Sequence, residues 1–204
     1  MTKSLARVIL EIDKKEKKHM RIFVGSDVHG SSIDIDRFFA IVDEYKATHH
    51  DTQVVLLGDI YNHGPRNPLP KGYAPMKVAE RLNSSKDYIT VIQGNCDSEV
   101  DQMISDFEIK HDFSMQWGAR RLYFTHGHKC NPDLPCKDAI KGDIVFYGHF
   151  HRAAVEEVDG VIYVCVGALG MPKPDTVRSY AIVDEHEVTV KALETGEIIF
   201  RFDI

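Results

Sequence analysis

Short apolar runs recur along this chain, and five of them lead directly into a polar residue that can bind a metal or a proton. The runs are rich in Val, Ile, Leu and aromatic residues, a composition typical of buried strands. They occupy residues 22–24, 54–57, 89–92, 122–125 and 144–147. The sequence therefore predicts five strands, each followed by Asp, Asn or His.

The remaining pattern predicts helices between the first strands and mostly strands afterwards. In the first half, strands are predicted over about 20–26, 53–58 and 88–93, and helices over about 31–48, 75–84 and 98–105. In the second half, strands are predicted near 107–116, 121–125, 143–147, 161–166, 180–184, 187–193 and 197–202, with one helix around 133–141. Two sheets packed face to face, with helices outside, is the simplest arrangement of these elements. We therefore predict an α/β fold.

Residues 1–19 differ from the rest of the chain. Four apolar residues in this segment have the i, i+3, i+4, i+7 spacing of an amphipathic helix, namely Leu5, Val8, Ile9 and Ile12. We predict a helical N-terminal extension over residues 1–19 and one domain over residues 20–204.

Composition and charge restrict the classes of function. The chain has 204 residues, of which 43% are hydrophobic and 27% charged, and this fits one globular domain. The net charge is −6 and there is no long basic stripe, so nucleic acid is not an expected partner. Since no apolar run reaches 18 residues and no signal-peptide pattern is present, we expect no membrane partner and a cytoplasmic location.

The cysteines and histidines are distributed differently. The four cysteines include no close CxxC pair, so we predict free thiols at Cys130 and Cys136 in a reducing compartment. A redox pair or an accidental metal site at these two positions is an open alternative. Four of the 11 histidines form two close pairs, which are His126/His128 and His149/His151.

The polar residues after the strands have the composition of a catalytic metal site. Asp27 and His29 are two positions apart, so both side chains of an extended segment can face one ion. His149 and His151 have the same spacing. Ligands of α/β folds collect beyond the carboxyl ends of strands. A mixture of Asp, Asn and His without an obvious thiolate suits Mn²⁺, Fe²⁺, Zn²⁺, Co²⁺ or Ni²⁺ better than Ca²⁺.

Five motifs in a fixed order make the chain resemble the calcineurin-like metallophosphoesterases. They are Asp-x-His at 27–29, Gly-Asp at 58–59, Gly-Asn-x-Asp at 94–97, His-Gly-His at 126–128 and Gly-His-x-His at 148–151. Two further stretches, 63–68 and 94–101, resemble the small phosphodiesterases of the YfcE type. The resemblance implies a four-layer α/β/β/α sandwich of two mixed β-sheets flanked by helices, with a dinuclear metal site.

The resemblance also implies a role for each motif residue. The first metal ion would be held by Asp27, His29, Asp59 and His151, and the second by Asp59, Asn95, His126 and His149. Asp59 would thus contact both ions. Two divalent ions, most suitably Mn²⁺, would activate a bridging hydroxide for attack on a small phosphodiester.

Residues next to these motifs are candidates for catalysis and substrate binding. The candidate catalytic residues are Asn95, Cys96 and His128, and the candidate substrate-binding residues are His63, Arg66 and Asn67. Cys96 stands where many members of the wider superfamily have His, although the YfcE-type proteins also have Cys there. Because a thiol is a poorer cationic partner than imidazolium, we predict weak action on unactivated monoesters. The alternative interpretation of Cys96 is a small buried filler.

Two other functions are compatible with the same motifs. One is a phosphomonoesterase or phosphatase, against which Cys96 argues. The other is a non-catalytic scaffold, as in a retromer subunit of the same fold, against which the complete ligand set argues. Since relatives often assemble, we also expect a homodimer or homotetramer.

Overall fold

Two β-sheets packed face to face form the centre of the protein, of which the computed structural model describes residues 20–204. The predicted N-terminal extension, residues 1–19, lies outside the described residues. The domain boundary at residue 20 therefore stays a prediction.

Both sheets are mixed. The seven-stranded sheet has the order β12 (Ile198–Asp203), β11 (Glu187–Ala192), β10 (Ser179–Val183), β1 (Arg21–Gly25), β2 (Thr52–Leu56), β3 (Ile89–Ile92) and β4 (Ile109–Lys110). The five-stranded sheet has the order β5 (Phe113–Trp117), β6 (Arg120–Phe124), β7 (Ile144–Tyr147), β9 (Val161–Val166) and β8 (Ala153–Val158). Strands β1 to β4 are parallel, as are β6, β7 and β9, and the other neighbours are antiparallel. Parallel strands place their carboxyl ends at the same edge of a sheet.

Helices cover the outer face of the seven-stranded sheet. They are α1 (Ser32–Lys46), α2 (Pro75–Asn83), the short α3 (Glu99–Met103) and a 3₁₀ turn over Lys86–Tyr88. The Ser31 side chain caps α1 by accepting a hydrogen bond from the backbone N–H of Asp34, as an N-cap serine does. Phe38 and Phe39 of α1 are fully buried against the sheet.

Alternation along β1 assigns its side chains to the two faces of the sheet. Phe23 packs toward the helices, whereas Ile22 and Val24 pack toward the second sheet. In the core between the sheets, Phe124 and Phe146 stack with ring centroids 5.2 Å apart. The strands at the centre of both sheets are therefore buried on both faces, which explains their nearly continuous apolar sequences.

The predicted sandwich of two mixed sheets is confirmed. The outer face of the five-stranded sheet is covered by the loop over residues 127–142, whose Cys136 and Ala139 pack against buried Tyr163. The helix predicted near 133–141 is wrong, because Pro132 and Pro135 interrupt this segment and the chain forms turns instead. In residues 20–204 no helix is both long and apolar enough to cross a membrane.

Two strand predictions also need correction. The single strand predicted near 107–116 is two short strands, β4 and β5, which belong to different sheets. The chain therefore crosses from one sheet to the other at residues 111–112. Strand β8 was not predicted, because two consecutive glutamates, Glu156 and Glu157, interrupt its apolar pattern on an exposed edge strand.

The prediction for the two cysteines of the loop over residues 127–142 is also wrong. Cys130 and Cys136, predicted as free thiols, form a disulfide with Cα atoms 4.8 Å apart. Their Cα separation lies within the usual range for a disulfide. Cys96 and Cys165 are free.

Phe146 offers a direct test of the core between the sheets. Phe146→Ala should lower the free energy of unfolding by about 3–5 kcal/mol, because it leaves a cavity between two well-packed sheets. Urea denaturation followed by circular dichroism measures this change. Met103→Ala, at a side chain that is 83% exposed, is the control and should change stability by less than about 0.5 kcal/mol. A loss below about 1 kcal/mol for Phe146→Ala would contradict the described packing.

Candidate metal centre

Both sheets contribute strand ends to one cluster of polar side chains. Asp27 and His29 follow β1, Asp59 follows β2 and Asn95 follows β3. From the second sheet, His126 follows β6, and His149 and His151 follow β7. The seven predicted ligands therefore come from five parallel strands.

The backbone at most of these residues is in the left-handed region, which non-glycine residues rarely adopt. Among residues 20–204, six non-glycine residues have a positive φ, and five of them are predicted ligands. Their φ angles are 52° at Asp27, 48° at His29, 54° at Asp59, 67° at His149 and 57° at His151. Such conformations cost about 1–3 kcal/mol each and persist where the surroundings fix them, often at functional sites.

Asp97 fixes the backbone around Asp59. Its carboxylate accepts hydrogen bonds from the backbone N–H groups of Asp59 (2.7 Å), Ile60 (2.8 Å) and Gly94 (2.8 Å). Oδ1 of Asp59 in turn accepts a hydrogen bond from the backbone N–H of Cys96 at 2.8 Å. The loops after β2 and β3 are thus held together through two buried carboxylates. A Cβ atom at Gly94 would overlap the backbone and carboxylate of Asp59, so only glycine allows this approach.

The carboxylate of Asp97 serves the loops after β2 and β3 and not the start of α3. Ser98 is the N-cap of α3, and its backbone N–H donates to Asp101 at 2.7 Å. Burial raises the pKa of Asp97 to about 6, against the opposite effect of its backbone donors. Asp97 is a positioning residue for Asp59 that the sequence pattern did not reveal.

Backbone carbonyls orient three of the histidines. Nδ1 of His29 donates to the carbonyl of Asn62 at 2.8 Å, and Nδ1 of His126 donates to that of Leu57 at 2.7 Å. Nδ1 of His151 donates to the carbonyl of Met171. A carbonyl only accepts, so each Nδ1 carries the proton and each Nε2 of a neutral ring presents a lone pair. This is the usual arrangement of histidines that bind metals through Nε2.

The inward-facing nitrogen and oxygen atoms of these residues lie close together. Nε2 of His29 and Nε2 of His151 are 3.3 Å apart, and Nε2 of His126 is 3.0 Å from Oδ1 of Asn95. Oδ1 of Asp27 is fully buried, has no hydrogen-bond donor and lies 3.2 Å from Nε2 of His151. Facing acceptors of this kind repel one another unless a cation lies between them. The donor set therefore fits divalent metal ions of the kind that bind carboxylate and imidazole ligands.

Asp59 lies at the centre of this set. Its Oδ2 is 3.6 Å from Nε2 of His29 and 3.6 Å from Nε2 of His126. Three groups of potential ligands have all their donor atoms within 4.8 Å of one another, and they are Asp27/His29/His151, Asp27/Asp59/His126 and His29/Asp59/Cys96. The second and third groups share Asp59. The sulfur of Cys96, which the sequence did not suggest as a ligand, is thus close to the centre.

His149 lies at the side of the cluster. It belongs to none of these three groups, but its ring centroid is 5.2 Å from that of His126. Its backbone N–H donates to Oδ2 of Asp27 at 2.9 Å, so the loop after β7 is tied to the loop after β1. The structure therefore places His149 beside His126, as the predicted second metal position requires.

The surroundings shift the pKa values of Asp27, His29 and Cys96. Burial opposes ionisation of Asp27, but the nearby His151 and His29 outweigh it and lower the pKa of Asp27. Burial also opposes protonation of His29, and Asp27 reverses this effect and raises the pKa of His29. Burial, reinforced by Asp59, raises the pKa of Cys96 to about 12, so the thiol is neutral at pH 7 in the absence of a cation.

Two clefts open from the metal centre. The larger cleft, of about 930 Å³, reaches His29, Asp59, His149 and His151, and the smaller cleft, of about 650 Å³, reaches His128. Asn95 lines both. The place where a reacting group would sit between Asn95 and Asp59 is therefore accessible from two sides.

Of the three predicted substrate-binding residues, two line the larger cleft and one does not. Arg66 and Asn67 line the larger cleft. His63 does not, because its ring packs edge-on against Tyr73 with centroids 5.3 Å apart. The carbonyl of His63 instead accepts a hydrogen bond from the Asn67 side chain at 2.9 Å, which shapes this loop.

His128, a predicted catalytic residue, lines the smaller cleft. Its ring centroid is 5.3 Å from that of His126 and 6.2 Å from that of His149. Burial, with the nearby His126 and Lys129, lowers the pKa of His128 to about 4. Its Nδ1 is buried and has no hydrogen-bond partner among residues 20–204.

Comparison with known proteins identifies the family. The model of the calcineurin-like phosphoesterase superfamily domain matches residues 20–187, most of the chain. The chain belongs to the calcineurin-like phosphoesterase superfamily. The chain is 38% identical to the phosphodiesterase YfcE of Escherichia coli K12 over 187 residues, which is 91% of this chain and 98% of YfcE. It is also 27% identical to the probable metallophosphoesterase YsnB of Bacillus subtilis, over 80% of this chain and 83% of YsnB.

Solved structures of other proteins have the same fold. The structure of the E. coli phosphoesterase YfcE matches with a TM-score of 0.84 and 35% identity, over 91% of this chain and 100% of that chain. Vacuolar protein sorting 29 of Cryptosporidium parvum matches with a TM-score of 0.61 and 18% identity, over 92% and 99% of the two chains. At this identity the second similarity concerns the fold alone.

These similarities and the donor set make the chain a metal-dependent phosphoesterase that uses divalent ions. The individual ligand assignments, the candidate catalytic residues and the candidate substrate-binding residues stay predictions. The geometry described above brings Asp27, His29, Asp59, Asn95, Cys96, His126, His149 and His151 together, with His128 next to them and His63 outside the cleft.

Asp97→Asn tests whether Asp97 positions the metal centre. The amide has one acceptor oxygen where the carboxylate has two, so at least one buried backbone N–H loses its partner, at a cost of about 1–3 kcal/mol. We expect this loss in urea denaturation and a weaker affinity for Mn²⁺ in calorimetric titration. Asp36→Asn, at an exposed position on α1, is the control and should change neither. An Asp97→Asn variant with unchanged metal affinity would contradict the positioning role.

Proposed function

We propose that this protein is a phosphodiesterase that hydrolyses small phosphodiesters with two divalent metal ions at Asp59. The observation that carries the proposal is the convergence of histidine nitrogens and carboxylate oxygens on Asp59. The 38% identity to a protein known as a phosphodiesterase supports the diester substrate.

The residues divide into two ligand groups around Asp59. We assign Asp27, His29 and His151 to one ion, and Asn95, His126 and His149 to the other, which the short distances within each set support. Cys96 is the residue at the boundary, because its sulfur is near His29 and Asp59. Two divalent ions, of which Mn²⁺ suits these ligands well and Zn²⁺, Fe²⁺, Co²⁺ and Ni²⁺ are also compatible, supply Lewis acidity to the phosphate and make water a nucleophile at neutral pH.

The protein itself orients the ligands and the substrate. The carbonyls of Asn62, Leu57 and Met171 hold three imidazole rings so that Nε2 faces the centre before any ligand binds. This arrangement lowers the reorganisation needed during the reaction. The guanidinium of Arg66, in the larger cleft, suits bidentate contact with a phosphate oxygen pair.

His128 and Cys96 are the candidates for contact with the reacting ester. His128 lines the smaller cleft, and Cys96 lines the larger cleft. A neutral thiol is a poor proton donor compared with imidazolium, so the leaving group must depart with little help. This favours diesters with acidic leaving groups over alkyl monoesters.

Assembly and location also stay predictions. We propose a cytoplasmic homodimer or homotetramer, as the sequence analysis predicts, and analytical ultracentrifugation of the full chain measures the assembly.

Asp59→Asn tests the proposed centre. Replacing the shared carboxylate by a neutral amide should reduce bound Mn²⁺ and lower kcat/KM for bis(p-nitrophenyl) phosphate by at least about 100-fold. Metal content by mass spectrometry and the rate of p-nitrophenol release are the two measurements. Asp36→Asn is the control, with both values as in the unaltered protein. Retention of full activity and full metal content by Asp59→Asn would exclude the shared role.

Cys96→His tests the basis of the expected preference for diesters. An imidazole at this position should assist the leaving group, so the monoester-to-diester ratio of kcat/KM should rise by about tenfold. The ratio is measured with p-nitrophenyl phosphate and bis(p-nitrophenyl) phosphate. Cys96→Ser, which adds no proton donor of this kind, should leave the ratio within about twofold. An unchanged ratio in Cys96→His would refute this explanation of specificity.

A further inference from the structure

The larger cleft is lined by more positively than negatively charged side chains. Apart from Asp59, its lining contains no acidic residue, although the chain as a whole has a net charge of −6. Four cationic residues line the cleft, and they are Arg66, Lys71, Lys173 and Arg178. The cleft is therefore a local positive region on an acidic protein, which is typical of a site for an anion.

Three of these cations have no acidic partner among the described residues. Arg178 pairs with Asp34 at 3.0 Å and with Glu194 at 3.2 Å, so its charge is already compensated. Arg66, Lys71 and Lys173 form no ion pair within residues 20–204 and are exposed. They are free to bind an anionic group.

The backbone holds the two lysines in place. The backbone N–H of Lys173 donates to the carbonyl of His151 at 3.1 Å, so this lysine is anchored to a residue of the metal centre. The carbonyl of Lys71 accepts a hydrogen bond from the Ser31 hydroxyl at 3.0 Å. Pro70 precedes Lys71, and prolines stand on both sides of Lys173. Because proline fixes φ, these loops lose little entropy when a ligand binds.

An aromatic ring lies in the same cleft. Phe150 is 42% exposed and packs edge-on against His149 with ring centroids 5.2 Å apart. Met171 lines the cleft as well. An exposed aromatic face of this kind can stack on a flat group such as a nucleobase.

The smaller cleft differs in charge. It is lined by the acidic residues Asp97, Asp112 and Asp138 together with Lys129 and Lys137, so both signs are present. It has no excess of positive charge comparable with that of the larger cleft. The two sides of the metal centre therefore suit chemically different groups.

We propose that the substrate is an asymmetric phosphodiester, one arm of which lies in the larger cleft and carries both a flat group on Phe150 and a second negative charge bound by Arg66, Lys71 and Lys173. This inference rests on the proposed function for the scissile phosphate. The second charge is remote from the reacting phosphorus, so the three cations act in recognition and not in the chemical step. A nucleotide arm with an additional phosphate belongs to this chemical class.

Two substrates that differ by one phosphate test the proposal. They are thymidine 5′-(p-nitrophenyl phosphate) and its 3′-phosphorylated analogue, both of which release p-nitrophenol. With the Mn²⁺-loaded protein, kcat/KM should be about tenfold higher for the 3′-phosphorylated substrate, because charge-assisted contacts add to its binding. The double variant Lys71→Gln/Lys173→Gln should reduce this preference to within about twofold.

Matched variants show which part of the cleft is responsible. Lys137→Gln removes an exposed lysine from the smaller cleft and should keep the tenfold preference. Phe150→Ala should lower kcat/KM for both substrates by about fivefold and leave their ratio unchanged. A protein without preference for the additional phosphate, or a preference lost in Lys137→Gln and kept in the double variant, would overturn the proposal.

A binding measurement separates this proposal from the proposed function. Calorimetric titration should show about tenfold tighter binding of thymidine 3′,5′-bisphosphate than of thymidine 5′-monophosphate to the Mn²⁺-loaded protein, and the double variant should lose this difference. If neither diester is hydrolysed, the proposed function fails while the binding ratio still decides the second-charge site. If both diesters are hydrolysed at equal rates and both ligands bind equally, only the second-charge site fails.

Discussion

The burial of two carboxylates beside each other is the constraint on which the rest of this structure depends. Asp27 is 0% exposed and Asp59 is 2% exposed, and their oxygens lie within 4.8 Å of each other and of Nε2 of His126. Two negative charges at this distance repel by about 3–4 kcal/mol at an effective dielectric constant of about 20. Histidines with Nε2 lone pairs cannot remove this repulsion unless they are protonated. A pair of divalent cations would turn it into attraction, which explains why the fold tolerates the arrangement.

Both the two sheets and the loops that follow their strands hold Asp27 and Asp59 in place. Parallel strands bring the ligand loops to one edge, and the contact between two sheets brings Asp59 to His126. The loops then turn through left-handed conformations, which are stabilised by hydrogen bonds between loops, as from the His149 backbone to Asp27. The seven-stranded sheet provides four of the seven predicted ligands and the five-stranded sheet provides three, so metal binding at this cluster requires both sheets to be folded.

The sequence allowed prediction of the strands and of the polar residues after them, because apolar runs and ordered motifs are local features. It did not reveal Asp97 as a support of Asp59, since an aspartate before a short helix has the same local pattern as a cap. The carbonyls of Asn62, Leu57 and Met171 could not be predicted either, because every residue has a carbonyl and only the tertiary fold selects these three. The loop over 127–142 was misjudged partly for a related reason. Pro132 and Pro135 already disfavour a helix there, and the Cys130–Cys136 disulfide and the packing on Tyr163, which depend on the tertiary fold, accompany the turns.

The proposed metal centre requires that Asp59 lie between two cations. Anomalous diffraction at the manganese edge from crystals grown with Mn²⁺ measures this directly. We predict two anomalous peaks about 3.5–4 Å apart with Asp59 in contact with both, His29 beside one and His126 beside the other. A structure at saturating Mn²⁺ without a peak at this cluster, or with a single ion that Asp59 does not touch, would contradict the account.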